Sequence, residues 1–312
     1  MKTLEFIERA ITEQNIVDGR CFVCGGEQSS GAGEHVMPKW LLTRLSLWSS
    51  MITLLNGTTL PYSQLKVPCC ERCNNGFLSR IERDAQAIFA AGELKDANDV
   101  LVLGRWLAKI LVGLLTKETK LYFDRRDRSK GFIVDAKFLD NFHLCHMILQ
   151  TARKPTTFSC LHSDYPFSLY WYAVEDTEDD DFDFITDVVG NAVAIRIGRL
   201  GVVFVADGGL QMEAGAKGPH GLSGSKVSLR ALRELILQIF YKSQLRDATH
   251  FYVNSETPEA INIEQVRVSP FTGMIPGTAM TQIFRPWDSE EMAAILSGML
   301  DEAGNFSPPS RT

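Results

Sequence analysis

Apolar positions recur first at helical and later at strand spacing, and the change of period divides the chain. Leu4, Ile7 and Ile11 share one face of a helix expected over residues 4–14. Glu34-His35-Val36 reads as a short strand stopped by Pro38, and residues 40–48 as a short amphipathic helix. Over 51–60 the Asn56-Gly57 pair marks a hairpin. From 74 to about 91 Phe77, Leu78, Ile81, Ala85 and Ile88 return every three or four residues, as on a helix. A polar stretch, 92–99, offers Asp96, Asn98 and Asp99 as caps for a long helix bearing Leu103, Trp106, Leu107, Ile110, Leu111, Leu114 and Leu115. Another helix is expected over 135–151. The aromatic and β-branched runs 167–174 and 192–206 then predict strands, and 227–243 and 289–301 return to helical spacing. The fold class expected is α+β: a small N-terminal domain over 1–95, then helices and an antiparallel sheet over 96–312.

Of the 312 residues, 45% are hydrophobic and 22% charged, which excludes a disordered chain. The most apolar stretch, 100–115, is interrupted by Arg105 and Lys109 and falls short of the roughly 20 residues a bilayer demands. It reads as a core helix, and no membrane partner is expected. The first twenty residues mix acids among their apolar positions, unlike a signal peptide, so a cytoplasmic protein is expected. A net charge of −6 argues against coating nucleic acid by bulk attraction, but the charge is uneven. Lys117, Lys120, Arg125, Arg126, Arg128 and Lys130 crowd one segment, and residues 175–187 are almost wholly acidic. Steering of a polar partner and two solvated loops are both open readings of these runs.

Four of the seven cysteines form two C-x-x-C pairs, Cys21/Cys24 and Cys70/Cys73. With no secretion signal this spacing points to metal, and four thiolates suit a closed structural zinc site. Such a site would hold together a segment too small to bury a large core. Cys69 is expected to point away as a small buried thiol. Clamping by zinc would carry the Glu34-His35 strand to the head of the helix that begins at Asn74. There His35 can take a proton from an attacking water. Glu34 and the Asn74 amide oxygen can hold a magnesium- or manganese-like ion, with Asn75 the weaker neighbour. Since side chains alternate along a strand, Glu34 and His35 need either a bend or divided roles. His143 and His146 lie one turn apart, but their apolar neighbours mark a core helix. The glycines between 208 and 224 lack the strand–loop–helix context of a phosphate loop.

Glu34-His35-Val36-Met37-Pro38-Lys39-Trp40-Leu41, followed by Cys70-Glu-Arg-Cys73-Asn74-Asn75-Gly76-Phe77-Leu78-Ser79 and Glu82, resembles the HNH endonucleases, in particular a bacterial branch with an EHVxPxW motif and a CxxCNN ending. The resemblance covers roughly residues 21–82, and the Arg105-Trp106-Leu107-Ala108-Lys109 helix is similar to that branch as well. It implies a ββα-metal finger, a histidine general base, a catalytic divalent ion and hydrolysis of nucleic-acid phosphodiester bonds, with DNA the foremost substrate. Defence against phage is one setting that it suggests. The chain departs from the family in having glutamate where aspartate often precedes the catalytic histidine. It also offers only Asn56, in a turn signal, as a central asparagine. The alternative is a zinc-stabilised module that binds nucleic acid or protein and has lost its hydrolytic centre. Residues 96–312 would then serve a protein partner, a homo-oligomer contact or a sensing role.

Overall fold

Pro38 and the glycines at 33 and 57 punctuate the first compact unit, which runs to Thr156 and takes in 180–182 and 255–261. The computed structural model describes residues 18–28, 33–133, 142–175, 181–213, 219–246, 251–266 and 284–307. The helix expected over 4–14 and the first part of that expected over 135–151 lie outside them. Strand β1 (Glu34–His35) is followed by α1 (Lys39–Arg44), and β2 (Met51–Thr53) and β3 (Thr59–Pro61) form the hairpin expected around Asn56-Gly57. Strand β4 (Lys66–Val67) returns to pair antiparallel with β1, setting Glu34 opposite Val67 and His35 opposite Lys66.

One helical turn, Glu71–Cys73, leads into a widened turn, Asn74–Leu78, where Gly76 leaves helical geometry at φ −88 and ψ −112. Helix α2 (Ser79–Ala91) continues from it and ends on Gly92 in the left-handed conformation. Helix α3 (Ala97–Glu118) begins at Asp96, whose carboxylate accepts from the Asn98 and Asp99 amides. The 95/96 division expected from composition therefore falls between α2 and α3, inside the first unit.

Trp106 of α3 is fully buried, stacked on Trp40 of α1 at 6.1 Å and edge-on to Phe89 of α2 at 5.5 Å. Around these rings Val36, Leu41, Leu42, Leu65, Leu78, Leu103 and Leu107 complete the core. At Gly113 of α3 an added Cβ would lie 3.0 Å from Val36, so glycine lets the helix approach the end of β1. Helix α4 (His143–Gln150) is the next core helix, with Cys145 and His146 buried.

The second unit holds residues 157–179, 183–254 and 262–312. After β5 (Thr156–Ser159), strands β6 (Ser168–Val174), β7 (Phe182–Asp187), β8 (Ala192–Ile197), β9 (Leu200–Val205) and β10 (Lys226–Val227) form a five-stranded sheet ordered β10–β6–β9–β8–β7. Strand β9 runs antiparallel to β6 and β8, and β10 lies parallel to β6. Every residue of β8 and β9 is buried, which accounts for their apolar runs, broken only by Arg196 in β8. Leu232, Ile236 and Ile239 of α5 (Leu229–Gln244) cover one face. Strands β11 (Phe251–Glu256) and β12 (Ile261–Val266) join β5 in a three-stranded sheet, and α6 (Ser289–Met299) is the last helix. The reading of 175–187 as a solvated acidic loop fails over 182–187: these residues are strand β7. Its Asp183 is paired with Arg196 at 2.7 Å and with Arg233 at 3.0 Å. The architecture is α+β, and among the described residues no helix is long and apolar enough to cross a membrane.

Candidate functional site

Cysteines 21 and 24 flank a tight turn in which the Gly25 amide donates to the Cys21 carbonyl and the Cys21 amide to Gly26, both at 2.9 Å. The Phe22 amide reaches across to the Pro68 carbonyl at 2.9 Å, which stitches this turn to the chain leaving β4. Cys70 and Cys73 follow on the helical turn, closed by the Asn74 amide donating to Cys70 at 3.0 Å. The sulfurs of Cys21, Cys24, Cys70 and Cys73 all lie within 4.8 Å of one another, Cys24 and Cys70 at 3.7 Å. A zinc ion bonded to sulfur at about 2.3 Å sets a tetrahedral edge of about 3.8 Å, so the spacing fits. The four could therefore hold a metal ion such as zinc. Their acidities agree: thiol hydrogen bonds from Cys24, Cys69 and Cys73 favour a Cys21 thiolate, and the same contacts push Cys69 and Cys73 upward. Adding further thiolates to such a cluster calls for a cation.

Cys69 corrects one expectation. It is buried, but it does not turn away: its sulfur sits 3.9 Å from that of Cys21, because the adjacent Cys70 carries β4 directly into the cluster.

Helix α4 braces the first turn from behind, which its sequence did not announce. The Val23 carbonyl, between the two first-pair cysteines, accepts from His146 Nε2 at 2.8 Å and from the Gln150 amide. Burial holds the His146 imidazole down at about 4, against an ordinary value of 6.5. Between those values the unfolded chain takes up a proton that the folded one refuses, so this contribution is whole above pH 6.5 and shrinks as pH falls. At pH 5.5 the loss is about 1.4 kcal/mol. Urea unfolding of wild type and His146→Gln at pH 7.5 and 5.5 should show the wild type losing that much more than the variant. Equal losses would contradict it.

The strand with Glu34 and His35 starts from Gly33, where φ is +72 and an added Cβ would meet the Val67 carbonyl at 2.7 Å, so only glycine fits. Alternation along β1 then gives the two residues different surroundings. Glu34, 8% exposed, turns to α3, where its Oε1 meets Lys109 Nζ at 2.9 Å. Glu82 of α2 reaches the same ammonium at 2.7 Å, and the nitrogen also donates to the backbone oxygens of His35 at 2.6 Å and Val36 at 3.1 Å. Lys109 has no exposure at all. Burial pulls its pKa down, but Glu82 and Glu34 outweigh it and the net displacement is upward. Glu82 is raised by burial, with Lys109 opposing. The sequence alone shows Lys109 only as an interruption in a core helix. The signal available was that same charge in the middle of an apolar face.

The His35 ring meets Trp48 edge-on, with centroids 5.9 Å apart. Burial first, and then the Lys66 charge, lower its pKa below 6.5, with Glu34 opposing, so the imidazole is neutral at pH 7. Asn74 and Asn75 occupy the widened turn at the head of α2. The partly exposed Asn74 side chain makes no hydrogen bond among the described residues, and Asn75 donates to Glu71 at 3.4 Å. Asn56 is a turn residue: its amide donates to the Tyr122 carbonyl and accepts from the Thr58 amide. The structure thus brings Glu34, Glu82 and Lys109 together and gathers the four cysteines at the Glu34–Val67 end of the β1–β4 pair. It joins neither Glu34 nor His35 to Asn74 by a hydrogen bond. Comparison with protein-family models, with curated proteins and with solved structures found no match in any of the three.

Proposed function

We propose that the first unit is a metal-dependent endonuclease of the HNH type, hydrolysing nucleic-acid phosphodiester bonds, with DNA the foremost substrate. The observation that carries the reading is a histidine on a two-residue strand whose carbonyl is bonded to a buried lysine and whose partner strand leads directly into a four-cysteine cluster. In this reading Cys21, Cys24, Cys70 and Cys73 hold a structural zinc, and β1, β4 and the helix from Asn74 make a ββα-metal finger. His35 accepts the proton of the attacking water, which a neutral imidazole can do at pH 7. Glu34 and Asn74, with Asn75 beside them, are the residues that would hold magnesium or manganese. Such an ion supplies positive charge where the phosphate and the leaving oxygen gain negative charge. Two carboxylates around one lysine leave an excess negative charge beside β1, favouring a cation there, and the uncommitted Asn74 amide adds a neutral oxygen.

Plasmid DNA should be cut in magnesium or manganese, and His35→Ala should lower the rate by roughly 10²- to 10⁴-fold while keeping zinc content and circular dichroism. A variant that cuts as fast as wild type would remove the assignment. One observation favours a second reading, a binding module with a decayed centre: Oε1 of Glu34 is already committed to Lys109. That reading wins if wild type and His35→Ala bind nucleic acid equally and neither cuts in any metal.

A further inference from the structure

The chain leaving α3 folds back on itself. Tyr122 bridges Phe132, Phe123 donates to Gly131 and Ile133 to Leu121, both at 2.9 Å, and the Tyr122 and Phe132 rings stack at 4.9 Å. Asn56, at the tip of the β2–β3 hairpin, ties this loop down through the Tyr122 carbonyl at 3.2 Å. Between hairpin tip and loop lies a cleft of about 330 Å³, lined by Lys120, Arg125 and Arg128. The acids of the loop are spent internally. Asp124 accepts from Lys130 Nζ at 2.8 Å and from the Arg126 amide at 2.9 Å, and Asp127 accepts from the Ser129 amide at 3.1 Å. Burial pushes the Glu118 carboxyl, bonded to the Leu55 amide, up to about 7, so much of its charge is gone at neutral pH. Lys120, Arg125 and Arg128 are exposed and have no carboxylate partner among the described residues, in a chain whose net charge is −6. Phe123, 64% exposed, stands among them.

We propose that this cleft docks the phosphodiester backbone of a nucleic acid, with Lys120, Arg125 and Arg128 each taking a phosphate. The inference rests on the nuclease reading only in identifying that strand as the one His35 cuts. Three cations without a carboxylate partner on a braced loop, Arg128 resting over the Tyr122 ring at 5.0 Å, suit a polyanion with evenly spaced charges, because each phosphate neutralised releases counterions. Cleft and imidazole are linked by a short piece of chain: the Trp48 ring is 5.9 Å from that of His35, and the backbone from Trp48 to Asn56, eight peptide steps, spans at most about 29 Å.

The test uses the zinc-loaded full chain carrying His35→Ala, a fluorescent 30-base-pair duplex, and anisotropy titrations from 50 to 300 mM NaCl. Replacing Lys120, Arg125 and Arg128 together by glutamine should lower the slope of log K against log salt by about 2.7. It should also weaken binding on the order of 100-fold at 100 mM. Arg125→Lys with Arg128→Lys should keep the parent slope. An unchanged slope in the triple variant, a charge-keeping variant as weak as the neutral one, or a parent that binds no duplex would each overturn the proposal. A wild type that binds with this slope yet cuts nothing upholds the cleft and removes the nuclease reading. One that cuts, while the triple variant keeps the parent slope, does the reverse.

Discussion

The Cys73→Ser chain is expected to emerge without zinc and with the β1–β4 pair melted. Structural zinc contributes on the order of 10 kcal/mol to the folding of a small thiolate site, comparable with the whole stability of an ordinary domain. The segment held here has two strands of two residues each, which cannot persist on hydrogen bonds alone. Metal analysis should give about one zinc per wild-type chain and none for Cys73→Ser. Amide exchange at Val36, whose N–H donates to the Leu65 carbonyl at 2.9 Å, should accelerate to the unfolded rate in the variant. Cys69→Ser is the informative control, because Cys69 touches Cys21 yet stands outside the mutually close set of four. It should retain the metal. The reverse pattern, zinc kept by Cys73→Ser and lost by Cys69→Ser, would reassign the ligands.

Lys109→Ala is expected to cost about 3–5 kcal/mol, the range for removing one partner from a buried ion cluster. The loss is not that of one salt bridge. Glu34 and Glu82 would face each other in a poorly solvated space, and the His35 and Val36 carbonyls would lose their donor. Lys109→Met keeps the volume of the side chain and should fare nearly as badly, since it supplies no charge. Adding Glu34→Gln and Glu82→Gln to Lys109→Met should recover most of the loss, because exchanging a whole buried ion cluster for neutral groups is close to balanced. Urea unfolding in excess zinc reads all three chains. A single Lys109→Met loss under about 1 kcal/mol would mean that the ammonium is not holding the carboxylates.

Much of the fold was legible because its signals are local. The Asn56-Gly57 turn, the Asp96 cap and the period of α3 are properties of neighbouring residues, and each sits where the spacing placed it. The four cysteines were legible because C-x-x-C spacing is itself geometry. What escaped depends on partners far away in sequence. Lys109 lies 75 positions from Glu34, and His146 lies 123 from Val23, so no window of sequence holds either pair. Strand β7 was hidden by composition: its acids looked solvated until Arg196 and Arg233, from β8 and α5, were seen to neutralise Asp183. Cys69 was misjudged for a smaller reason, since adjacent residues on an irregular segment need not point to opposite sides.

Lys109 and Trp106 also bear on how such a site can pass between proteins. The motif residues 21–82 look portable, a cassette that recombination could insert into any chain. Yet the cation that neutralises Glu34 and Glu82, and the ring that seats Trp40, both belong to α3. A cassette cut after residue 95 would travel with two unmatched carboxylates and a bared indole. Inheritance of the β1–β4 segment thus obliges inheritance of the helix, and the block that must travel together extends at least to Lys109.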